Sequence, residues 1–514
     1  MSTPSLPEPE LDLGATNAPA IVSGGLWTLL SRVIPQAQLL VLSIVVARYL
    51  GPDEMGRQSY IAFVALALVQ MATAGLPGAL SRFISELLGA RKGGQALSLY
   101  RTTRRVEAVG AVLVLLVLLV AVAMGSEPRT AWILAGLSAS LSVLQAVPAA
   151  LLSGTQRWRE AWLPGLVTGV LTVPAVIVAL ELGGGISGLF AVEAVAVFAN
   201  LVWTSALARR LVVRLPEIEP ASEELKRRFW SFAGQTSVIV IISFVVWRRS
   251  ELFILQHYST DAQIAFYSIA FAAISGLSKL PETVETVAMP AVANLVGTGQ
   301  DERIRRGFWR AMRLLVLATL PLVAGVAVAG PALLELAYGS DYADAGPVLL
   351  VMLVPLVFQP MLRVSEGVLY GLGRPLFIVI AGLAATVVDV GLAFLLIPSL
   401  DAVGAAIANG AAIMVAGVPC LWLAVSLHRP VSLPIAPLVR AVLLSLLVAL
   451  GAWIALTLLG SIAAVVVGTL VGVGAALVLR PLAAEDAEWL AGALGDQGGR
   501  GVAGRFVARL GSRT

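Results

Sequence analysis

The residues best able to do chemistry in this chain are ionisable groups set inside long apolar runs. The cations are Arg32, Arg82, Arg248, Arg249, Lys279 and Arg363; the acids are Glu86, Glu193, Glu251, Glu282, Glu285, Glu366 and Asp389. A charge inside a membrane-spanning segment is costly unless it faces a water-filled cavity or a partner, so each marks a functional position or an internal pair. Guanidinium groups suit oxyanions, because their planar fork donates two hydrogen bonds at once. A buried carboxylate with no cation beside it suits a proton or a sodium ion instead.

Spacing sorts these residues. Arg82 and Glu86 are four apart, and Arg248–Glu251, Lys279–Glu282 and Arg363–Glu366 are three apart, so each pair shares a helix face and can neutralise itself. Arg82 can also extend its head to the membrane surface. Arg248 and Arg249 project about 100° apart, so Glu251 cannot satisfy both. Arg32 has no acid three or four residues away, and Asp389 and Glu193 have no neighbouring cation. Asp389 and Glu193 are therefore the ion-coupling candidates. Gln36 and Gln38 offer amides to sugar hydroxyls or to a neighbouring helix.

The elements that must position these groups follow from composition. Of 514 residues, 58% are apolar and 13% charged, far from the balance of a soluble domain. At ~20 residues per span, the apolar residues suffice for roughly fourteen membrane helices. Continuous apolar runs exclude a membrane β-barrel, whose strands alternate. A single cysteine, Cys420, excludes internal disulfides and CxxC metal sites, and two distant histidines make a metal centre improbable. No metal or organic cofactor is expected, only a coupling ion, Na⁺ or H⁺. Nothing points to nucleic acid.

Apolar segments predict spans at 26–50, 59–85, 106–125, 130–153, 162–181, 185–208, 230–256, 263–291, 309–330, 346–370, 374–397, 402–426, 437–459 and 461–480. The expected fold is all-α and polytopic. Basic residues gather after every even-numbered span, from Arg91, Lys92 and Arg101 onward, which places those connections and both termini in the cytoplasm. The expected organisation is a disordered tail at 1–24, a six-helix bundle at 25–210, a linker at 211–229, a second bundle at 230–428, two further helices at 429–480 and a tail at 481–514. In that tail Arg500, Arg505 and Arg509 are spaced for a surface helix, and its glycines equally suit disorder.

The halves repeat. YLGPDEMGRQS at 49–59 aligns with YSTDAQIAFYS at 258–268, GTQRW at 154–158 with GLGRP at 371–375, and ISG at 186–188 with VG at 403–404, at offsets of 209, 217 and 216. An even shift of six helices gives two bundles of the same orientation, an arrangement common among transporters.

Several segments resemble one family. ARYLGPDEMG at 47–56, AGLPGALSRFISEL at 74–87, RRSELFILQHYSTDAQIAFYSIAFA at 248–272, LPETVETVAMPAVANL at 280–295 and GVLYGLGRP at 367–375 resemble the Wzx-like lipid-linked oligosaccharide flippases of the MOP (MATE-like) exporter superfamily. The resemblance covers roughly residues 24–426. It implies two V-shaped six-helix bundles, a bacterial inner-membrane location, and no enzymatic activity. The implied activity is ion-coupled alternating access carrying an undecaprenyl-diphosphate-linked sugar chain, with a polysaccharide polymerase and glycosyltransferases as partners. Under that reading Arg32 and Arg249 are the foremost diphosphate contacts, with Arg248, Arg82, Arg363 and Lys279 behind them. A multidrug or cation antiporter of the same superfamily is the alternative, and Arg32 without a carboxylate in the first helix argues against it. A membrane glycosyltransferase or polymerase is a further alternative, resting on Asp53 and Glu54 in a short external loop.

Overall fold

The computed structural model describes residues 18–213, 216–247, 251–297, 299–428, 435–495 and 509–511. The helices are α1 (Ala18–Thr73), α2 (Leu76–Gly89), α3 (Gly93–Ala123), α4 (Arg129–Gly154), α5 (Trp158–Glu181), α6 (Gly185–Val212), α7 (Glu223–Trp247), α8 (Glu251–Tyr258), α9 (Asp261–Gly297), α10 (Asp301–Tyr338), α11 (Ala345–Gly371), α12 (Pro375–Leu427), α13 (Ile435–Leu459), α14 (Ser461–Leu479) and α15 (Ala484–Gly495).

Ten helical stretches among the described residues are long and apolar enough to cross a membrane. Two of them, Ile34–Gly89 and Leu376–Leu427, run for 56 and 52 residues, roughly 80 Å if unbroken. A bilayer core is ~30 Å thick, so each crosses twice. Their breaks lie at Gly51 (φ 75°) in α1 and at Asp401 (φ 48°, ψ −130°) in α12. With those two counted twice, the ten make twelve crossings among the described residues, and α9 and the pair α7 and α8 supply helices for the two further spans expected. The lipid-facing surface is apolar: Val109, Val112, Leu116 and Val120 on α3 and Leu446 and Leu450 on α13 are exposed. Exposed apolar faces of that extent need lipid around them.

Element ends depart from the sequence expectation. Helix α1 begins at Ala18, inside the stretch read as a disordered tail, because Pro19 in a first turn forfeits no helical hydrogen bond. Helix α3 begins at Gly93, so the supposed loop cations Arg101, Arg104 and Arg105 ride on its exposed face while Leu97, Leu99 and Tyr100 are buried. In the final tail, α15 forms upstream of the expected surface helix; Arg500 and Arg505 lie outside the described residues.

The chain divides into two compact units. One holds the described residues up to Tyr49 with Ile61–Phe244; the other holds Leu50–Tyr60 with Val245–Thr514. In the first, Leu80, Phe83 and Ile84 of α2 pack on Tyr100, Val147, Leu151 and Phe229. Gly154 lets α4 meet α2 closely: the Ser85 hydroxyl donates to its carbonyl at 2.6 Å, and a Cβ there would come within 2.7 Å of the Ser81 carbonyl. In the second, Ile304, Phe308, Met312 and Leu315 of α10 pack on Val364 and Val368 of α11.

Backbone conformation carries the repeat further than the sequence does. Arg91, Gln156, Gly299 and Gly373 are all left-handed (φ 58°, 57°, 67° and 71°). Each closes a helix with the same pair of bonds: Lys92 N–H to Leu87 O and Gln300 N–H to Leu295 O in one pair of turns, Arg157 N–H to Leu152 O and Arg374 N–H to Leu369 O in the other, at 2.8–3.0 Å. This is the six-to-one bond of a Schellman stop, which favours glycine at the left-handed position. Gly185 and Asp401, 216 positions apart, are likewise both left-handed. A side chain in this conformation costs about 1 kcal/mol. Gln156→Gly, copying its counterpart Gly373, should therefore raise the melting temperature of the purified protein by about a degree, and Gly373→Gln should lower it.

Candidate functional site

Two of the described acids, Glu251 and Asp389, meet inside the second unit. Glu251 opens α8 and is 1% exposed. The Tyr267 hydroxyl of α9 donates to its Oε2 at 2.9 Å, and the Asn409 amide of α12 donates to its Oε1 at 2.8 Å. The Asp389 carboxyl, also on α12 and 1% exposed, stands beside the Glu251 carboxyl. Asp389 and Asn409 lie on opposite sides of the break at Asp401, so the two spans of α12 deliver them to the same acid. The Ser259 hydroxyl donates to Asp401 Oδ1 at 2.5 Å, and Ala402 N–H to Gln263 Oε1 at 3.4 Å, tying the break to the α8–α9 corner.

Two buried carboxyl groups side by side repel when both are charged, so the pair favours a shared proton or a cation between them. Removing the proton would leave two carboxylates and a phenol oxygen together, hard oxygen donors suited to a small cation. The arrangement can therefore take up and release a proton, or exchange it for a cation, in a place closed to bulk water.

The other sequence-selected residues fall elsewhere. On α11 the half-buried Arg363 and the buried Glu366 pair at 3.1 Å, as their spacing allows. Glu86 pairs with Arg228 at 2.8 Å rather than with Arg82, whose guanidinium instead lies 4.2 Å above the Phe232 ring. Glu193 on α6 accepts from the Ser138 hydroxyl at 3.3 Å. Gln38 packs its amide against Gly169 of α5, and Gln36 is half-buried on α1. Arg32 lies on α1 and Lys279 on α9, but their side chains are outside the described residues, as are Arg248 and Arg249 altogether.

Sequence reasoning matched Glu251 to Arg248 by spacing and treated Asp389 as solitary. The structure sets Asp389 beside the Glu251 carboxyl, which also accepts from Tyr267 and Asn409; Arg248 lies outside the described residues. Tyr267 and Asn409 were missed, because a tyrosine and an asparagine in apolar helices carry no charge signal. A second polar contact holds the turn Leu50–Tyr60 in this unit. Arg57 Nε reaches Asp261 Oδ2 at 2.7 Å, and that carboxylate pushes the guanidinium pKa above its ordinary value. Gly56 lies so close to the Asp261 carbonyl that no side chain fits there.

Losing a donor to a buried carboxyl costs about 1–3 kcal/mol. Asn409→Leu should lower the melting temperature in detergent by several degrees. Gly276→Ala, where an added methyl meets nothing within 4 Å, should leave it unchanged.

A family model described as polysaccharide biosynthesis protein matches residues 45–347. A second, described as lipid II flippase MurJ, matches residues 280–475. Among curated proteins no significant match is found. Solved structures share the fold. The lipid II flippase MurJ in an inward closed conformation superposes with a TM-score of 0.69 at 14% identity, over 89% of this chain and 99% of that one. An inward-facing multidrug resistance MATE family transporter of the MOP superfamily gives 0.64 at 16% identity, over 80% and 100%. A MOP superfamily transporter from Pyrococcus furiosus, described as having a binding pocket of reverse polarity, gives 0.55 at 17% identity, over 80% and 96%. These likenesses show a shared fold. With the first family model covering more than half of its length, this chain belongs to the polysaccharide biosynthesis protein family.

Proposed function

We propose that the protein flips an undecaprenyl-diphosphate-linked oligosaccharide, the repeat unit of a polysaccharide, across the bacterial inner membrane by ion-coupled alternating access. The observation that carries the coupling is the buried Glu251–Asp389 pair with its Tyr267 and Asn409 donors. Membership of a polysaccharide biosynthesis family supports the cargo class. In this reading Asp389, with Glu251, takes the proton or Na⁺, and Glu193 is a lesser site in the first unit. Arg32 and Arg249 hold the diphosphate, assisted by Arg248, Arg82 and Lys279, and Gln36 and Gln38 meet sugar hydroxyls. Arg363 is held by Glu366 and can join only where a diphosphate competes with that carboxylate. Both termini face the cytoplasm, where glycosyltransferases supply the cargo, and a polymerase consumes it on the far side. The lipid tail stays in the bilayer. The sequence contains no GxxxxGK[ST] phosphate loop, so the energy comes from an ion gradient rather than from ATP.

Arg32→Ala and Arg249→Ala should each cut surface polysaccharide by about tenfold or more, the loss of one charge-assisted contact to phosphate, with normal amounts of protein in the membrane. Full polysaccharide in both variants would overturn the assignment of the diphosphate contacts. Vesicles containing the purified protein should move a fluorescent polyprenyl-diphosphate sugar without ATP; movement of ethidium but not of that lipid would favour a cation antiporter.

A further inference from the structure

A second chamber lies away from the acid pair. It is a partly open pocket of about 350 Å³ lined by α10, α11, α12, α13, α15 and the turn between α14 and α15. Its volume is that of a small-molecule pocket. Met312, Val316, Met361, Leu421, Val425 and Leu438 make an apolar interior. One end is different. There Arg313 grips Asp486 of α15 with a two-point fork, Nε to Oδ2 at 2.7 Å and Nη2 to Oδ1 at 2.8 Å. Arg310 adds a third bond, Nε to Oδ1 at 3.0 Å, and stacks its guanidinium 5.0 Å above the Trp489 ring.

The charge count at this end is unequal. One carboxylate faces two guanidinium groups, leaving an excess positive charge. Asp486 is 1% exposed, whereas Arg310 and Arg313 are 23% and 24% exposed, so the arginines are within reach of a further anion. The half-exposed Trp489 beside them is the residue type that settles at a membrane–water boundary. An apolar chamber ending in a doubly cationic mouth at that boundary fits an amphiphile with one anionic group and a hydrocarbon chain. A free anion would leave the apolar walls unused, and a sugar would find no partners among them.

We infer that this chamber is a binding site for an anionic phospholipid: one acyl chain fills the cavity, and the lipid phosphate meets Arg310 and Arg313 in competition with the Asp486 carboxylate. Helix α15 is then a lid whose hold on the mouth weakens when anionic lipid is bound. The guanidinium fork accepts phosphate and carboxylate in the same geometry, so the exchange needs no rebuilding of the mouth.

Native mass spectrometry of the full-length protein in detergent tests this directly, with phosphatidylglycerol and phosphatidylcholine of identical chains as probes. Wild type should retain one phosphatidylglycerol with about tenfold preference over phosphatidylcholine, the worth of one charge-assisted contact. Val316→Trp, which fills the chamber, should abolish retention, and Asp486→Asn, which removes the competing charge, should tighten it severalfold. Equal retention of the two lipids, or wild-type retention in Val316→Trp, would overturn the proposal. If Val316→Trp does not fold, unchanged phosphatidylglycerol affinity in Asp486→Asn does so instead. Inorganic phosphate displacing the lipid at similar concentration would show that no acyl chain is recognised. Polyprenyl diphosphate displacing it mole for mole would reassign the chamber to the cargo lipid and end the phospholipid reading.

Discussion

Two carboxyl groups placed side by side within membrane-spanning helices repel one another unless a proton or a cation stands between them, and the second unit is arranged around that constraint. Glu251 and Asp389 are both about 1% exposed and stand side by side, with Tyr267 and Asn409 donating to Glu251. Such a group is tolerable only when its polar atoms are satisfied, because the low-dielectric interior makes each unmet one expensive. Any change in what occupies the pair therefore changes which contacts between α8, α9 and α12 are favourable. That is the physical requirement for an ion to do work on a protein, since a ligand shifts an equilibrium only by its differential affinity for the two states.

The break at Asp401 makes this geometry available. An unbroken α12 would extend roughly 80 Å and could not return a second residue to the same depth. With the break, Asp389 precedes the turn and Asn409 follows it, and Ser259 and Gln263 hold the turn from the neighbouring corner. The first unit has the equivalent turn at Gly185, and Glu193 stands where the repeat places Asn409, 216 positions on. There the acid meets only a serine hydroxyl among the described contacts. The repeat supplies the same scaffold twice, and the second copy has assembled the acids.

Much of this was legible in the sequence because the bilayer simplifies the code. Long apolar runs, basic connections and a constant offset between similar turns specify fourteen spans and two related halves. The helix ends were less legible. Arg101, Arg104 and Arg105 read as loop by charge but lie on the exposed face of α3, since a helix leaving the membrane can keep one buried stripe. Pairing was legible only within a helix. Arg363–Glu366 followed from spacing, whereas Glu86–Arg228, Asp486–Arg313 and Glu251–Asp389 join residues more than a hundred positions apart, and only tertiary packing selects them.

The central claim is that the Glu251–Asp389 pair binds the coupling ion. Charge displacement after a rapid Na⁺ or pH jump, recorded from protein reconstituted on a solid-supported membrane, tests it without needing any cargo. The account predicts a saturable transient in the wild-type protein that disappears in Asp389→Asn and in Glu251→Gln while both variants remain folded in the membrane. A transient of wild-type size in both variants would contradict it.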